Sequence, residues 1–208
     1  MNQKTSNLKI DPNPNNKNKV LPKILICIPL WGANYCKKAT RYLIPSLFSS
    51  NNLSYLRSNY NFLVKIYTDT ESFASVENLL TNSPLLKKNY SVVDFFKNEA
   101  FDHKGDKYGG LKYDRVTLAQ KDAGLLVKKS FDYMIPIYGD FMVSDFFFQK
   151  AMDKMSVDIS CILSLVPPVV TEQMEALYKT AKILDPRTPL SRIKLEEIGI
   201  KNMHPLMR

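Results

Sequence analysis

Residues 24–30, ILICIPL, are apolar without interruption. A strand with one face in water alternates apolar and polar side chains. An unbroken run instead marks a strand buried on both faces, which calls for a parallel sheet covered by helices on each side. The remainder of the chain must then supply further strands and helical crossovers between them.

The pattern meets that demand. After a first strand at 23–30, residues 34–49 carry Tyr35, Ala39, Tyr42, Leu43 and Leu47 at helical spacing, with Pro45 expected to kink or shorten the helix. SSNNLSYLRSN, residues 49–59, reads as a cluster of turn formers closing that segment. FLVKIYTD (62–69) is a second strand, followed by a helix over 71–80 that Thr68, Asp69 or Thr70 can cap. YSVVDFF (90–96) is a third strand. Residues 111–129 form the clearest helix, with Val116, Ala119, Ala123, Leu126 and Val127 in one apolar stripe. YMIPIY (133–138) is a fourth strand, and Ser144 and Asp145 read as the start of a helix that buries Phe147, Phe148, Ala151, Met152 and Met155. A fifth strand is expected at 157–166 and helices at 171–184 and 189–198. The alternation predicts a three-layer, Rossmann-like α/β domain with a mostly parallel sheet and right-handed crossovers.

Residues 1–21 hold six Asn, two Pro and few apolar side chains, and are expected to be a disordered tail ahead of one domain at 22–208. No apolar run reaches the ~18–20 residues of a membrane span. No signal-peptide core precedes Lys23, so a bacterial-type cytoplasmic protein without a transmembrane segment is expected. The net charge is +9, of which the five Lys and one Asp of residues 1–23 supply +4. The rest suits an anionic ligand, and no nucleic-acid signature accompanies it. Three cysteines without paired spacing argue against disulfides and zinc; Cys27 and Cys161, inside apolar runs, read as small core residues. Two distant histidines, His103 and His204, offer no metal cluster. No Gly-x-Ser-x-Gly elbow, Walker A or Gly-x-Gly-x-x-Gly loop occurs.

In an open α/β sheet, ligands bind beyond the carboxyl ends of the strands, where strand order reverses. Four loops lie there: 31–35, 68–70, 97–110 and 139–145. Trp31 either faces a ligand, with Gly32 permitting close approach, or packs on the next helix. Asp140 follows a strand and a glycine. It either holds a divalent cation against a diphosphate or is an ordinary Gly-Asp turn residue. Asp145 either serves the same site or marks a helix start. Lys112 and Arg115 extend the apolar stripe at the first turns of their helix, where they either face a phosphate or carry their charges to water. Asp69 either accepts hydrogen bonds from a ribose or base edge or caps the following helix.

ILICIPLWGANYCKKATRYLIPSLFSSNNLSYL, followed by VKIYTDTESF, resembles a group of bacterial proteins of the glycosyltransferase-A fold, which open with a strand and a Pro-x-Trp-Gly loop. DYMIPIYGDFMVSDFFFQKAM is similar to their fourth-strand region, and NMHPL to a motif near the domain's end. The resemblance implies a nucleotide-diphosphate-sugar donor, an acceptor still to be identified and a manganese or magnesium ion. It implies that Pro29, Leu30 and Trp31 line the nucleotide pocket and that Asp69 touches base or ribose. Asp140 falls on the last position of an Asp-x-Asp motif, whose first position is Tyr138 here. That departure leaves open a metal-independent or inactive form, either a nucleotide-binding module or a homo-oligomeric assembly subunit. Only residues 167–208 follow the expected fifth strand, short of the usual acceptor segment.

Overall fold

The computed structural model describes residues 20–81, 90–95, 110–155, 161 and 197–198. The expected tail over 1–19, the loop over 97–109, the fifth strand apart from Cys161, and most of the last two helices lie outside the described residues.

Four strands form one all-parallel sheet: β1 (Lys23–Pro29), β2 (Asn61–Thr68), β3 (Tyr90–Asp94) and β4 (Tyr133–Pro136), in the order β3-β2-β1-β4. β1 is central and pairs along its length with β2, from Lys23 opposite Asn61 to Pro29 opposite Tyr67. On its other side Cys27 reaches Pro136, where the proline closes the short β4 ladder. The chain steps outward from β1 to β3 and then returns to the far side of β1. Strand order therefore reverses between β1 and β4, and that reversal defines the ligand crevice of such sheets.

The unbroken apolar run of β1 is explained by its two buried faces. Ile24, Ile26, Ile28 and Leu30 enter one core, with Leu43, Leu47, Leu56, Val76 and Leu80 from the helices that follow β1 and β2. Leu25 and Cys27 enter a second core, with Tyr67, Ala119 and Ala123. The latter two alanines belong to α5 (Gly110–Ser130), and their small side chains let that helix lie close on the sheet. Truncating any of these β1 isoleucines to alanine would cost about 2–5 kcal/mol at such sites.

The segment after β1 differs from expectation. It comprises α1 (Ala33–Lys38), a π-helical turn (Ala39–Leu43), α2 (Ile44–Leu47) and α3 (Ser50–Asn59). In the π turn the Ile44 N–H bonds to the carbonyl of Ala39, five residues back. That wider turn accommodates Pro45, which has no N–H to donate and would crowd an ordinary α turn. Residues 50–59, read as turn formers, are helical because Leu53 and Leu56 are buried one turn apart and Asn52 is fully buried with hydrogen bonds to the Ser46 and Ser144 carbonyls. Tertiary burial overrides the weak local propensity.

The remaining elements are α4 (Thr70–Thr81), packed on β2 and β3, and α6 (Phe147–Met152), packed on α3. Helices on both faces of a parallel sheet match the expected α/β architecture. Cys161 is exposed, not a core residue. Among the described residues no helix is long and apolar enough to cross a membrane.

Candidate functional site

Beyond Pro29, Leu30 donates its N–H to the Tyr67 carbonyl at 2.8 Å, extending the strand pairing by one bond. Gly32 then adopts φ 77°, ψ 136°, a region open essentially to glycine alone. The chain thereby turns from the sheet into α1, leaving Trp31 at the carboxyl edge. Trp31 packs against the second core, on the α5 face.

Arg115 comes to meet it from the first turns of α5. Arg115, Ala119 and Ala123 follow one another at four-residue intervals, so the fully buried alanines fix the arginine on the sheet-facing side. Its guanidinium carbon lies 5.7 Å from the Trp31 ring centre, within cation–π range. Its Nη1 lies 3.6 Å from Asp69 Oδ2, and both side chains are 19% exposed. Asp69 follows β2, so the two strand ends and α5 converge.

Asp69 also faces the other way. Its Oδ1 accepts the Ser72 N–H at 2.9 Å, capping α4. Ser72 Oγ in turn accepts the Gly32 N–H at 2.8 Å. Trp31, Arg115, Asp69, Ser72 and Gly32 thus close a ring of contacts around the end of β1. Ser72 and Gly32 complete the ring although sequence reasoning gave Ser72 no role. The signal was present in TDTES, which places Ser72 at the third helical position after an Asp cap.

On the opposite side of β1 from Trp31, a cavity of about 460 Å³ opens between α1 and α4, with Leu30 in its lining. Of the three residues expected to line a nucleotide pocket, Leu30 therefore lines this cavity, Trp31 belongs to the arginine cluster, and Pro29 is buried at the end of β1. Lys112 lies in the first turn of α5, and its side chain is outside the described residues.

Asp140 is exposed in the turn after β4. Gly139, just before it, is pressed on Leu30: a Cβ there would come within 2.5 Å of Leu30 Cδ1. Tyr138, on the first position of the expected Asp-x-Asp pair, accepts a 3.2 Å hydrogen bond on its hydroxyl from Gln120 of α5. Among the described residues no three His, Cys, Asp or Glu side chains converge on a metal position. Asp140 alone fits an ion that a diphosphate brings with it, since magnesium-like ions take one or two carboxylates plus phosphate oxygens.

Asp145 is not the N-cap of its own helix. The N-cap position of α6 is Phe146, in the left-handed region at φ 59°. The Asp145 carboxylate accepts hydrogen bonds from Ser49 Oγ at 3.1 Å and Asn51 Nδ2 at 2.6 Å, at the start of α3. The positive end of that helix dipole favours it there. Val143 N–H to Ser46 Oγ and Asn52 Nδ2 to the Ser144 carbonyl complete a latch holding the loop after β4.

Under α5, Lys65 Nζ and Tyr67 Oη both donate to Asp122 Oδ2 at 2.8 Å. Burial pushes the Asp122 carboxyl up, but these hydrogen bonds and the Lys65 charge outweigh it, and it lies below its ordinary value. Burial pushes the Tyr67 hydroxyl up, and the nearby carboxylate adds to the effect. This trio joins α5 to β2.

Comparison with known proteins gives no match to this chain among family models, curated proteins or solved structures.

Proposed function

We propose that this chain is a glycosyltransferase-like protein that takes a nucleotide-diphosphate-sugar at the carboxyl edge of its sheet and passes the sugar to an acceptor. The observation that carries the reading is the Trp31–Arg115–Asp69 cluster at the ends of β1 and β2, beside the reversal of strand order. The resemblance of residues 24–56, 64–73 and 132–152 to proteins of the glycosyltransferase-A fold supports the same reading.

In the proposed reaction the bond from the anomeric carbon to the diphosphate oxygen breaks, and its electron pair leaves with the diphosphate. The acceptor hydroxyl oxygen forms the new bond to that carbon, and its proton passes to the departing diphosphate or to water. Arg115, oriented in a partly dehydrated setting, faces the negative charge that develops on the leaving group, with Lys112 as a second cation from the same helix turn. A planar guanidinium suits phosphate oxygens better than an ammonium does. Trp31 gives the base or ribose an apolar surface. Asp69 keeps Arg115 in place, since both of its oxygens are engaged within the protein. Asp140 offers a carboxylate to the donor sugar or to a manganese or magnesium ion, which when bound neutralises diphosphate charge.

A second reading is a nucleotide-binding module without transfer. The hydrogen bond holding Tyr138 in place of an acidic residue, together with the exposed position of Asp140, favours it.

Calorimetry with UDP, GDP and their sugars, with and without manganese, tests both. Saturable binding that weakens at least about tenfold in Arg115→Ala, the loss of one charge-assisted contact, supports the site. Turnover that disappears in Asp140→Ala supports transfer, and binding with no hydrolysis or transfer supports the module. Failure of every nucleotide to bind overturns both.

A further inference from the structure

We propose that the cavity between α1 and α4 is a binding site for a small zwitterion, an α-amino acid with a compact apolar side chain. The inference does not rest on the nucleotide reading: Leu30 and Trp31 enter different cores, although Gly32 and Ser72 belong both to the lining and to the ring around Arg115.

The volume of about 460 Å³ falls in the range of small-molecule sites. The floor is apolar: Leu30 and Val76 are each 1% exposed and Cys36 is 8% exposed. Burial raises the Cys36 thiol above its ordinary value, so it remains uncharged at neutral pH and behaves as a small apolar group. Ser72 Oγ, also in the lining, is already engaged by the Gly32 N–H.

The rim is different. Lys37 stands exposed on the α1 wall and Glu71 exposed on the α4 wall. Among the described residues they are the charged side chains of the lining, and those two charges are opposite. A polyanion or polycation therefore gains nothing here, whereas a molecule carrying both signs gains at both walls. Among the described residues no aromatic ring lines the cavity, and none of them offers a nucleobase or a sugar ring a stacking surface. An apolar floor beneath opposite charges on facing walls complements an amino acid: its carboxylate toward Lys37, its ammonium toward Glu71, its side chain on Leu30 and Val76.

Calorimetric titration of the full chain with L-leucine and L-valine tests this, beside 4-methylpentanoate, 3-methylbutylamine and glucose. The amino acids should bind saturably, and the two single-charge analogues at least about tenfold more weakly, one charge-assisted contact being lost in each. Lys37→Gln and Glu71→Gln should each weaken the amino acid by a similar factor, with circular dichroism and urea midpoint unchanged. Ser75→Trp, at the exposed rim and away from the core, should block binding. Absence of saturable amino-acid binding overturns the proposal. So do affinities that neither charge variant changes, and so does glucose binding in place of amino acids. The titration needs no nucleotide, so its outcome is separate from that of the nucleotide test.

Discussion

Asp69 and Arg115 meet at 3.6 Å across the carboxyl edge of the sheet, and the same carboxylate caps α4 through the Ser72 N–H. One side chain thus fixes both a helix start and the direction of a cation. The two duties separate by substitution. Asparagine caps a helix about as well as aspartate but carries no charge. Asp69→Asn should stay within about 1 kcal/mol of the parent in urea unfolding, since a partly exposed pair contributes little. Asp69→Ala should lose about 1 kcal/mol more through the missing cap. Both should weaken nucleotide binding alike, because both release Arg115.

The Asp145 latch should register in stability. The residue is 9% exposed, and its carboxylate accepts two side-chain hydrogen bonds from the start of α3. Asp145→Ala leaves Ser49 and Asn51 short of an acceptor and should cost about 2 kcal/mol in chemical denaturation. Asp145→Asn, which still accepts one bond, should cost less.

Gly139 has no room for a side chain beside Leu30. Gly139→Ala should destabilise by about 1–2 kcal/mol through overpacking. The same substitution in a Leu30→Val background should cost less than it does alone, a coupling that a double-mutant cycle in urea would read directly.

The thiols should differ sharply in reactivity. Cys161 is exposed, whereas Cys27 and Cys36 are buried. A disulfide reagent such as Ellman's should therefore titrate one thiol rapidly in the native protein and the other two only on unfolding. Burial pushes Cys27 from an ordinary value of 9.0 up to about 12. In the folded state this thiol keeps its proton where the unfolded chain has lost it. Its contribution to stability is full below pH about 9 and declines from there to pH about 12. Cys27→Ala should flatten the alkaline limb of the stability profile over that window.

Much of the architecture was legible. Ile24 to Leu30 announced a doubly buried strand because every position was apolar, and the spacing of Ala119 and Ala123 set the phase that put Arg115 on the inner side of α5. Residues 50–59 were not legible as a helix because Asn and Ser dominate them, and the burial that stabilises them comes from β2 and from the loop after β4. Their one local signal was Leu53 and Leu56, three residues apart. Asp145 misled for a related reason: its partners Ser49 and Asn51 lie 96 and 94 residues earlier, so adjacency suggested the helix just ahead of it. Asp69 was read correctly as a possible cap, and only coordinates could bring Arg115 to its second oxygen.

The π turn at Ala39–Leu43 holds one residue more than an α turn needs. Deleting one would regularise the backbone bonds, yet each residue of helix carries about 100° of rotation. Everything downstream would swing by that amount, taking Ser46 out of reach of Val143 and turning Asn52 away from Ser144. The irregular turn works as a phase shifter between two stretches of helix, and a shorter, more ideal segment there would be a worse fit to the rest of the molecule.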